Sequence, residues 1–239
     1  MSATIIIGKH AVRQILSSDH HIEKLYIRDR QKVNDDLKRI IDTAKKQRIQ
    51  VQWLEPYRFD QRFSGDHQGV ACITHSFEQT TIDDIIQDQP RVVLMADHLE
   101  DPHNFGAICR TAEAFGIQHM CYPKNRAVQI TPSVVKASAG AIESMKLCKL
   151  TNLNQALRKL AANGYWVYAA SSNIGQPIDQ LSFNFPMVLI CGSEHSGISD
   201  GLTKSIDEFV HIPLLGETSS LNVSVATGII IHKIASFSM

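Results

Sequence analysis

From Arg91 onward, short apolar runs alternate with stretches in which apolar residues recur at helical spacing. The run at 186–191 is the most apolar, and its length fits one strand that is buried on both faces. Such strands are typical of parallel sheets, in which helices connect successive strands and cover both faces. This pattern constrains the chain most strongly, and it predicts an α/β fold with a mostly parallel sheet.

The same reasoning locates the individual elements along the chain. Apolar or alternating runs predict strands at 24–27, 50–54, 69–74, 92–96, 119–122, 165–170, 186–191 and 209–213. Helical spacing predicts helices at 34–48, 82–86, 105–115, 153–160 and 222–235. The last of these helices is apolar almost all round, so we expect it to be buried.

Charge and composition divide the chain into two lobes. Residues 1–75 hold 13 Lys and Arg against 9 Asp and Glu, whereas residues 76–239 hold 11 against 15. A basic lobe suggests contact with a polyanion, although a solvated surface would show the same difference. The stretch 76–90 is polar. We therefore expect a small substrate-binding domain at 1–75, a linker at 76–90 and a larger domain at 91–239.

Several protein classes are disfavoured by the sequence. No apolar stretch is long enough to cross a membrane, and the first residues lack the features of a secretion signal. The five cysteines form no Cys-x-x-Cys pair, so we interpret them as small buried residues in a reducing cytoplasm. We expect a cytoplasmic protein that makes no membrane contact.

Ligands of open parallel sheets bind outside the carboxyl ends of the strands, so the loops after Ala96, Cys191 and Ile212 are the candidate site. In the first loop Asn104 is a good helix N-cap, and Gly106 suggests close approach to the backbone. Arg110 follows on the helix, where a surface ion pair with Glu113 or Asp101 is the alternative to a functional role.

A metal site in the first loop deserves consideration because His98 and His103 lie beside three acidic residues. The later part of the chain offers no evident further ligands for such a site. An acidic loop with histidines is more often simply solvated. We therefore expect no bound metal.

Glycines shape the second loop, where Gly192 and Gly197 permit a sharp turn and Glu194 lies near the presumed site. This loop has neither the dinucleotide fingerprint nor the Gly-Lys-Ser/Thr of a phosphate loop, which argues against a Rossmann-type oxidoreductase. In the third loop, Ser220 or Asn222 can cap the helix that follows.

Taken together, the three loops resemble the motifs of the SpoU/TrmH family of RNA ribose methyltransferases. The matching residues are Asn104-Phe105-Gly106 with Arg110-Thr111-Ala112, Gly192-Ser193-Glu194 with Gly197, and Ile212-Pro213 with Ser220-Leu221-Asn222-Val223-Ser224-Val225-Ala226. The residues Gly8-Lys9-His10-Ala11-Val12 and His67-Gln68-Gly69-Val70 resemble the family's small domain. The resemblance therefore covers the whole chain.

This resemblance implies a fold that pattern analysis alone would not propose. The small domain would have the L30e ribosomal-protein fold, and the C-terminal part of the α/β domain would form a deep trefoil knot, a feature that is very rare in proteins. The loops of the knot would bind S-adenosylmethionine. The protein would be a homodimer in which residues from both chains lie near each site.

The resemblance also implies roles for particular residues. The catalytic set would be Asn104, Arg110, Glu194, Ser220 and Asn222, and the cofactor contacts would come from Gly192, Gly197, Ile212 and Leu221. Arg110 would activate the ribose hydroxyl with help from an RNA phosphate, or would orient the ribose and stabilise the alkoxide, since a guanidinium rarely loses its proton. The chain departs from many relatives at His195 and Ser196.

Within the family, the chain is most similar to bacterial enzymes that methylate a guanosine of 23S rRNA. Lys9, Arg13, Arg28 and Arg30 are candidate contacts to RNA phosphates. The same chemistry on tRNA is the nearest alternative. A non-catalytic RNA-binding or ribosome-assembly protein is another, but retention of the whole catalytic set argues against it.

Overall fold

The computed structural model describes residues 4–17, 21–75, 79–130, 132–193 and 197–237. The described residues form two compact units, one within 1–77 and 129–135 and the other within 78–128 and 136–239. The predicted division at 1–75, 76–90 and 91–239 stays a prediction. No helix in the described ranges is long and apolar enough to cross a membrane.

A four-stranded sheet forms the N-terminal unit. The elements of residues 4–75 are β1 (Thr4–Ile7), α1 (Lys9–Leu16), β2 (His21–Arg28), α2 (Asp35–Lys46), β3 (Gln50–Leu54), α3 (Pro56–Arg62) and β4 (Val70–His75). The strand order is β1-β4-β2-β3, in which β4 is antiparallel to both neighbours and β2 is parallel to β3. The unit is therefore a mixed α/β domain.

Apolar side chains on both faces of this sheet pack against the helices. Val12 of α1 and Leu37 of α2 pack with Leu25 of β2 in one buried cluster. On the other face, Phe59 of α3 and Phe63, which caps that helix, pack with Tyr26. The ring centroid of Phe63 lies 5.1 Å from that of Tyr26 and 4.9 Å from that of Phe59. Burial of each such side chain stabilises the fold by about 1.5–3 kcal/mol relative to full exposure.

A seven-stranded sheet organises the C-terminal unit. Its elements are α4 (Ile82–Asp88), β5 (Val92–Ala96), α5 (Pro102–Ala114), β6 (His119–Pro123), α6 (Pro132–Ala137, which spans the boundary of the two units), a 3₁₀ helix (Ala141–Ser144), β7 (Lys146–Leu150), α7 (Leu153–Ala162), β8 (Trp166–Ser171), β9 (Gln176–Pro177), β10 (Met187–Cys191), α8 (Asp200–Thr203), β11 (Glu208–His211) and α9 (Val223–Ala235). The strand order is β7-β6-β5-β10-β8-β11-β9. Every pair is parallel, so all seven carboxyl ends lie along one edge.

The central strands β5 and β10 are buried along their whole length. Val93 and Val188 point to the face that packs with α4, α7 and α8. On the opposite face, Phe105 of α5 contacts Tyr122 of β6, and Thr227 of α9 donates a hydrogen bond to Cys191 Sγ at 3.2 Å. Helices therefore cover both faces, which confirms the predicted fold class.

Two expectations about helices are wrong. Helix α5 begins at Pro102 rather than at Phe105, and its N-cap is Asp101, whose carboxylate accepts from the His103 N–H at 3.0 Å. Asn104 therefore lies inside the first turn and is not the cap. Helix α9 is not buried all round, since Val225 is 51% exposed and Ile229 is 39% exposed.

Eight elements were not predicted from the pattern: β1, α1, α3, α6, the 3₁₀ helix, β7, β9 and α8. Strand β7 has lysine at two of its five positions, which weakens its apolar signal. The predicted strands at 50–54 and 92–96 have the observed bounds of β3 and β5. The trefoil knot and the L30e fold stay predictions.

A polar cluster connects the end of α4 to the amino ends of β6 and β7. Asp88 Oδ2 accepts from Lys146 Nζ at 2.5 Å and lies 3.0 Å from His119 Nε2. The hydrogen bond from Lys146, and then that from His119, lowers the pKa of the Asp88 carboxyl below its ordinary 3.8. Folding therefore favours the ionised form of Asp88.

We predict that Asp88→Asn reduces the pH dependence of stability. Because the folded-state pKa is depressed, the contribution of Asp88 is complete above the ordinary pKa and is lost as pH falls through the lowered value. Urea unfolding from about pH 7 to about pH 3 should show that the wild-type advantage over the variant shrinks with falling pH. Asp83 lies on the same helix as Asp88 and forms an exposed ion pair with Lys159, so Asp83→Asn is the control. Parallel curves for wild type and Asp88→Asn would contradict the prediction.

Candidate functional site

The first two loops begin side by side at the carboxyl edge of the C-terminal sheet. Ala96 and Cys191 are register partners at the ends of β5 and β10. The Asp97 N–H donates to the Cys191 carbonyl oxygen at 2.8 Å, which continues the pairing into both loops. The third loop follows β11, which is separated from β10 by β8. All three predicted loops thus leave the same edge.

Two glycines permit the second loop to close on itself. A Cβ at Gly192 would lie 2.4 Å from the carbonyl carbon of Gly197, so no larger residue fits without moving the chain. Gly197 has a φ of +64°, in the left-handed region that favours glycine. Ser193 and Gly197 exchange two backbone hydrogen bonds of 3.0 Å. Glu194, His195 and Ser196 lie outside the described residues, so the role of Glu194 stays a prediction.

A buried carboxylate links the first loop to the residues that follow the second. Asp97 is 1% exposed. Its Oδ2 accepts from the Ser199 N–H at 2.7 Å, and its Oδ1 lies 2.5 Å from His98 Nδ1. In the sequence, Asp97 is only one of the three acidic residues of the first loop. Its position directly after a fully apolar strand was the signal that could have identified it.

Two predicted catalytic residues, Asn104 and Asn222, contact each other directly. Asn222 Nδ2 donates to Asn104 Oδ1 at 2.9 Å, and Asn104 is only 8% exposed. The other amide atom, Asn222 Oδ1, accepts from the Ser224 N–H at 2.9 Å and so caps α9. Asn222 rather than Ser220 is therefore the cap. The contact holds the first turns of α5 and α9 together.

Arg110 is exposed on α5, six residues after Asn104. Within the described ranges it forms no ion pair with Asp101 or Glu113, and Asp101 instead caps the helix. Ser220 is exposed in the third loop. Among the described residues, the hydrogen bond of the two asparagines to each other involves neither Arg110 nor Ser220. Both side chains are open to a ligand.

The predicted cofactor contacts fall on the second and third loops. Gly192 is buried, Gly197 is exposed, and Ile212 and Leu221 are half-buried. The backbone groups of residues 214–221 have no backbone hydrogen-bond partner among the described residues. At the end of β11, His211 Nδ1 is buried and has no hydrogen-bond partner among the described residues. These groups are available to bind a polar ligand.

The described part of the chain contains no cluster of three His, Cys, Asp or Glu side chains that could hold a metal ion. His98 is engaged by Asp97, and His103 is exposed. The absence of a metal from the protein stays a prediction.

All five cysteines are buried and reduced. Burial raises the pKa of the Cys191 thiol to about 11 and that of Cys109 to about 12. A thiol attacks only as the thiolate, so neither group is suited to nucleophilic chemistry at neutral pH.

The four candidate RNA contacts lie in the N-terminal unit, and two of them form ion pairs with aspartates. Arg28 is bound by both oxygens of Asp60, at 2.9 and 3.1 Å, and this contact raises its pKa. Arg13 lies 3.4 Å from Asp36. Lys9 at the start of α1 and Arg30 in the turn after β2 form no ion pair among the described residues. Lys9 and Arg30 are therefore the freer cations.

Comparisons with known proteins agree over the whole chain. The sequence profile of the SpoU rRNA methylase family matches residues 91–232, and the profile of the RNA 2′-O ribose methyltransferase substrate-binding domain matches residues 5–80. A TrmH-family protein of Staphylococcus haemolyticus, named as a tRNA/rRNA methyltransferase, is 34% identical and covers 98% of this chain and 96% of its own. YacO of Bacillus subtilis, named in the same way, is 35% identical, with coverages of 96% and 94%.

Solved structures with the same fold span nearly the whole chain. A TrmH-family protein from Porphyromonas gingivalis, described as an RNA methyltransferase, has a TM-score of 0.62 at 26% identity and covers 97% of this chain and 88% of its own. The SpoU methyltransferase AviRb from Streptomyces viridochromogenes, solved with AdoMet, has a TM-score of 0.65 at 18% identity and coverages of 99% and 90%. At that identity the likeness to AviRb shows the fold alone.

We predict that Asn104 and Asn222 are energetically coupled. Asn222→Ala removes a helix cap and the partner of a buried amide, so it should lower the free energy of unfolding by about 1–2 kcal/mol. In a double-mutant cycle with Asn104→Ala, measured by urea unfolding, the coupling energy should be about 0.5–1.5 kcal/mol. Ser220→Ala, on an exposed neighbour, should change stability by less than about 0.5 kcal/mol. Simple additivity of the two asparagine substitutions would contradict the assigned contact.

Proposed function

The chain belongs to the SpoU rRNA methylase family and is an RNA methyltransferase, and from this premise we propose that it methylates a ribose 2′-hydroxyl of 23S rRNA, at a guanosine, with S-adenosylmethionine as the methyl donor. The observation that carries the proposal is the contact between Asn104 and Asn222. It joins the first and third family motifs at the carboxyl edge of a parallel sheet, where ligands of such sheets bind.

The second and third loops carry backbone groups that can bind S-adenosylmethionine. The backbone groups of residues 214–221, which have no backbone partner among the described residues, suit the edge of an adenine ring. Gly192 and Gly197 let the backbone approach a ligand. Gly192, Gly197, Ile212 and Leu221 are the proposed contacts. When bound, the cofactor would supply a methyl group on a sulfonium. The ribose 2′-oxygen would bond to the methyl carbon as the carbon–sulfur bond breaks, S-adenosylhomocysteine would leave, and the hydroxyl proton would pass to an RNA phosphate or to water.

Arg110 orients the ribose in this proposal. Its guanidinium is exposed and unpaired among the described residues, so it can donate to the 2′-oxygen and to a neighbouring phosphate. A guanidinium stays protonated at neutral pH, so its part is to stabilise charge that develops on the oxygen rather than to remove the proton. Placement of the oxygen in line with the methyl group supplies much of the rate.

Positioning is the proposed role of the remaining polar residues. Asn104 and Asn222 hold the first turns of α5 and α9 at a fixed separation, and the Ser220 hydroxyl in the exposed third loop donates a hydrogen bond to the substrate. Glu194 completes the proposed catalytic set by holding Arg110 or neighbouring polar groups. No metal takes part in the proposed reaction.

The RNA substrate binds the N-terminal unit in this proposal. Lys9 and Arg30 are the main phosphate contacts because no carboxylate among the described residues neutralises them. Arg13 and Arg28 would contribute less, since each already pairs with an aspartate. The names of the curated relatives include both tRNA and rRNA, so the choice of 23S rRNA rests on the sequence resemblance. We place the protein in the cytoplasm.

We further propose that the protein is a homodimer. An open groove between α5 and α9 is lined by Ala107, Thr111, Ser224, Val225, Gly228, Ile229 and His232. Val225 and Ile229 are 51% and 39% exposed there. Exposed apolar side chains that cluster on one face are typical of protein interfaces. On α9 the groove begins at Ser224, two residues after Asn222, so a second chain bound there would lie close to the site.

Ile229→Glu tests the dimer. A buried, unpaired carboxylate at the interface should shift the protein from dimer to monomer, as measured by analytical ultracentrifugation. Ile174→Glu, at a site that is 59% exposed and outside the groove, should leave the mass unchanged. A monomeric wild type, or a dimer that withstands Ile229→Glu, would count against this face.

Arg110→Ala tests the chemistry. Transfer of tritium from labelled S-adenosylmethionine to unmodified 23S rRNA, followed by digestion to nucleosides, should give 2′-O-methylguanosine with the wild type. The variant should keep its melting temperature but lose at least about 100-fold in turnover, since it lacks the charge-stabilising donor. Arg158→Ala, on an exposed residue of α7, is the control. Normal turnover by Arg110→Ala would refute its role, and label on bulk tRNA instead of rRNA would refute the proposed substrate.

A further inference from the structure

Asp97 is the one buried carboxylate among the described residues. A buried charge is unfavourable unless hydrogen bonds replace the lost water, so its partners are informative. The Ser199 N–H donates to Oδ2 at 2.7 Å, and His98 Nδ1 lies 2.5 Å from Oδ1. Both oxygens are therefore engaged, and each partner belongs to a loop of the candidate site or lies directly beside one.

The contacts of Asp97 span the two central strands. Its backbone N–H donates to the Cys191 carbonyl oxygen at the end of β10, while its side chain reaches Ser199 after the second loop. One residue at the end of β5 thus holds both the entry and the exit of the loop that starts at Gly192. Charge-assisted hydrogen bonds of this kind are about twice as strong as neutral ones.

Backbone contacts connect the described ends of the second loop. Ser193 and Gly197 exchange paired hydrogen bonds, and a Cβ at Gly192 would lie only 2.4–2.8 Å from backbone atoms of Gly197 and Ile198. These contacts join the loop to itself. The bond from Ser199 to Asp97 links the end of the loop to the end of β5.

We propose that Asp97 is a positioning residue for S-adenosylmethionine, which anchors the Gly192 loop to the sheet in the form that binds the cofactor. The inference rests on the proposed function. Asp97 itself touches neither cofactor nor RNA. Loss of its charge should therefore weaken cofactor binding and leave the chemistry of the bound complex largely intact.

The test compares Asp97→Asn and Asp97→Ala with a matched control. Asp207 is exposed, and its Oδ2 accepts from the Val167 N–H at 2.8 Å near the amino end of β8, so Asp207→Asn removes the charge from the same kind of bond far from the site. Calorimetry should show that the Kd for S-adenosylmethionine rises about tenfold in Asp97→Asn and further in Asp97→Ala, but not in Asp207→Asn. With saturating cofactor, kcat of Asp97→Asn should stay within about threefold of wild type, because an interaction that only binds ground and transition states equally changes KM alone.

Amide exchange of Ser199 supplies a readout that does not depend on activity. Exchange at Ser199 should be faster in Asp97→Asn than in the wild type or Asp207→Asn at matched thermal stability. The inference is overturned if the wild type binds S-adenosylmethionine and both Asp97 variants bind it equally well. It is also overturned if their loss of affinity equals that of Asp207→Asn. A wild type that binds no S-adenosylmethionine would instead overturn the proposed function, and this inference with it.

Discussion

The parallel pairing of β5 with β10 is the constraint on which the site depends. It places Ala96 beside Cys191, so that the first two loops start as neighbours. Because all seven strands run the same way, the third loop emerges at the same edge from β11. The fully apolar character of both central strands makes this arrangement stable, since each strand is buried on both faces.

Three side-chain hydrogen bonds then connect segments that are far apart in sequence. Asp97 joins the first loop to Ser199, Asn222 joins the third loop to Asn104, and Thr227 joins α9 to Cys191. Each bond has at least one partner that is buried or nearly so, where water competes least and a broken bond costs most. The edge of the sheet is thus pre-organised before any ligand arrives, while Arg110 and Ser220 stay exposed.

The sequence predicted the architecture well because apolar periodicity is a local signal. The strands at 50–54 and 92–96 were located to the residue. Local signals failed where tertiary contacts decide. Asn104 has the chemistry of a helix cap, but Asp101 takes that position, and the amide of Asn104 bonds to a residue 118 positions away. The partner of Asp97, Ser199, is 102 positions away, so only the place of Asp97 directly after an apolar strand could have indicated its role. The exposure of Val225 and Ile229 was not predicted, because α9 is apolar almost all round and such a composition is equally typical of a buried helix.

The central claim is that the loops after β5, β10 and β11 form one binding site at the carboxyl edge of the sheet. A crystal structure of the protein with S-adenosylmethionine tests it most directly. The account predicts that the adenosine lies between the Gly192 loop and residues 212–221, with the methyl group directed toward the side of α5 that carries Arg110. Cofactor bound anywhere else on the protein, such as at the amino ends of β5 and β6, would contradict it.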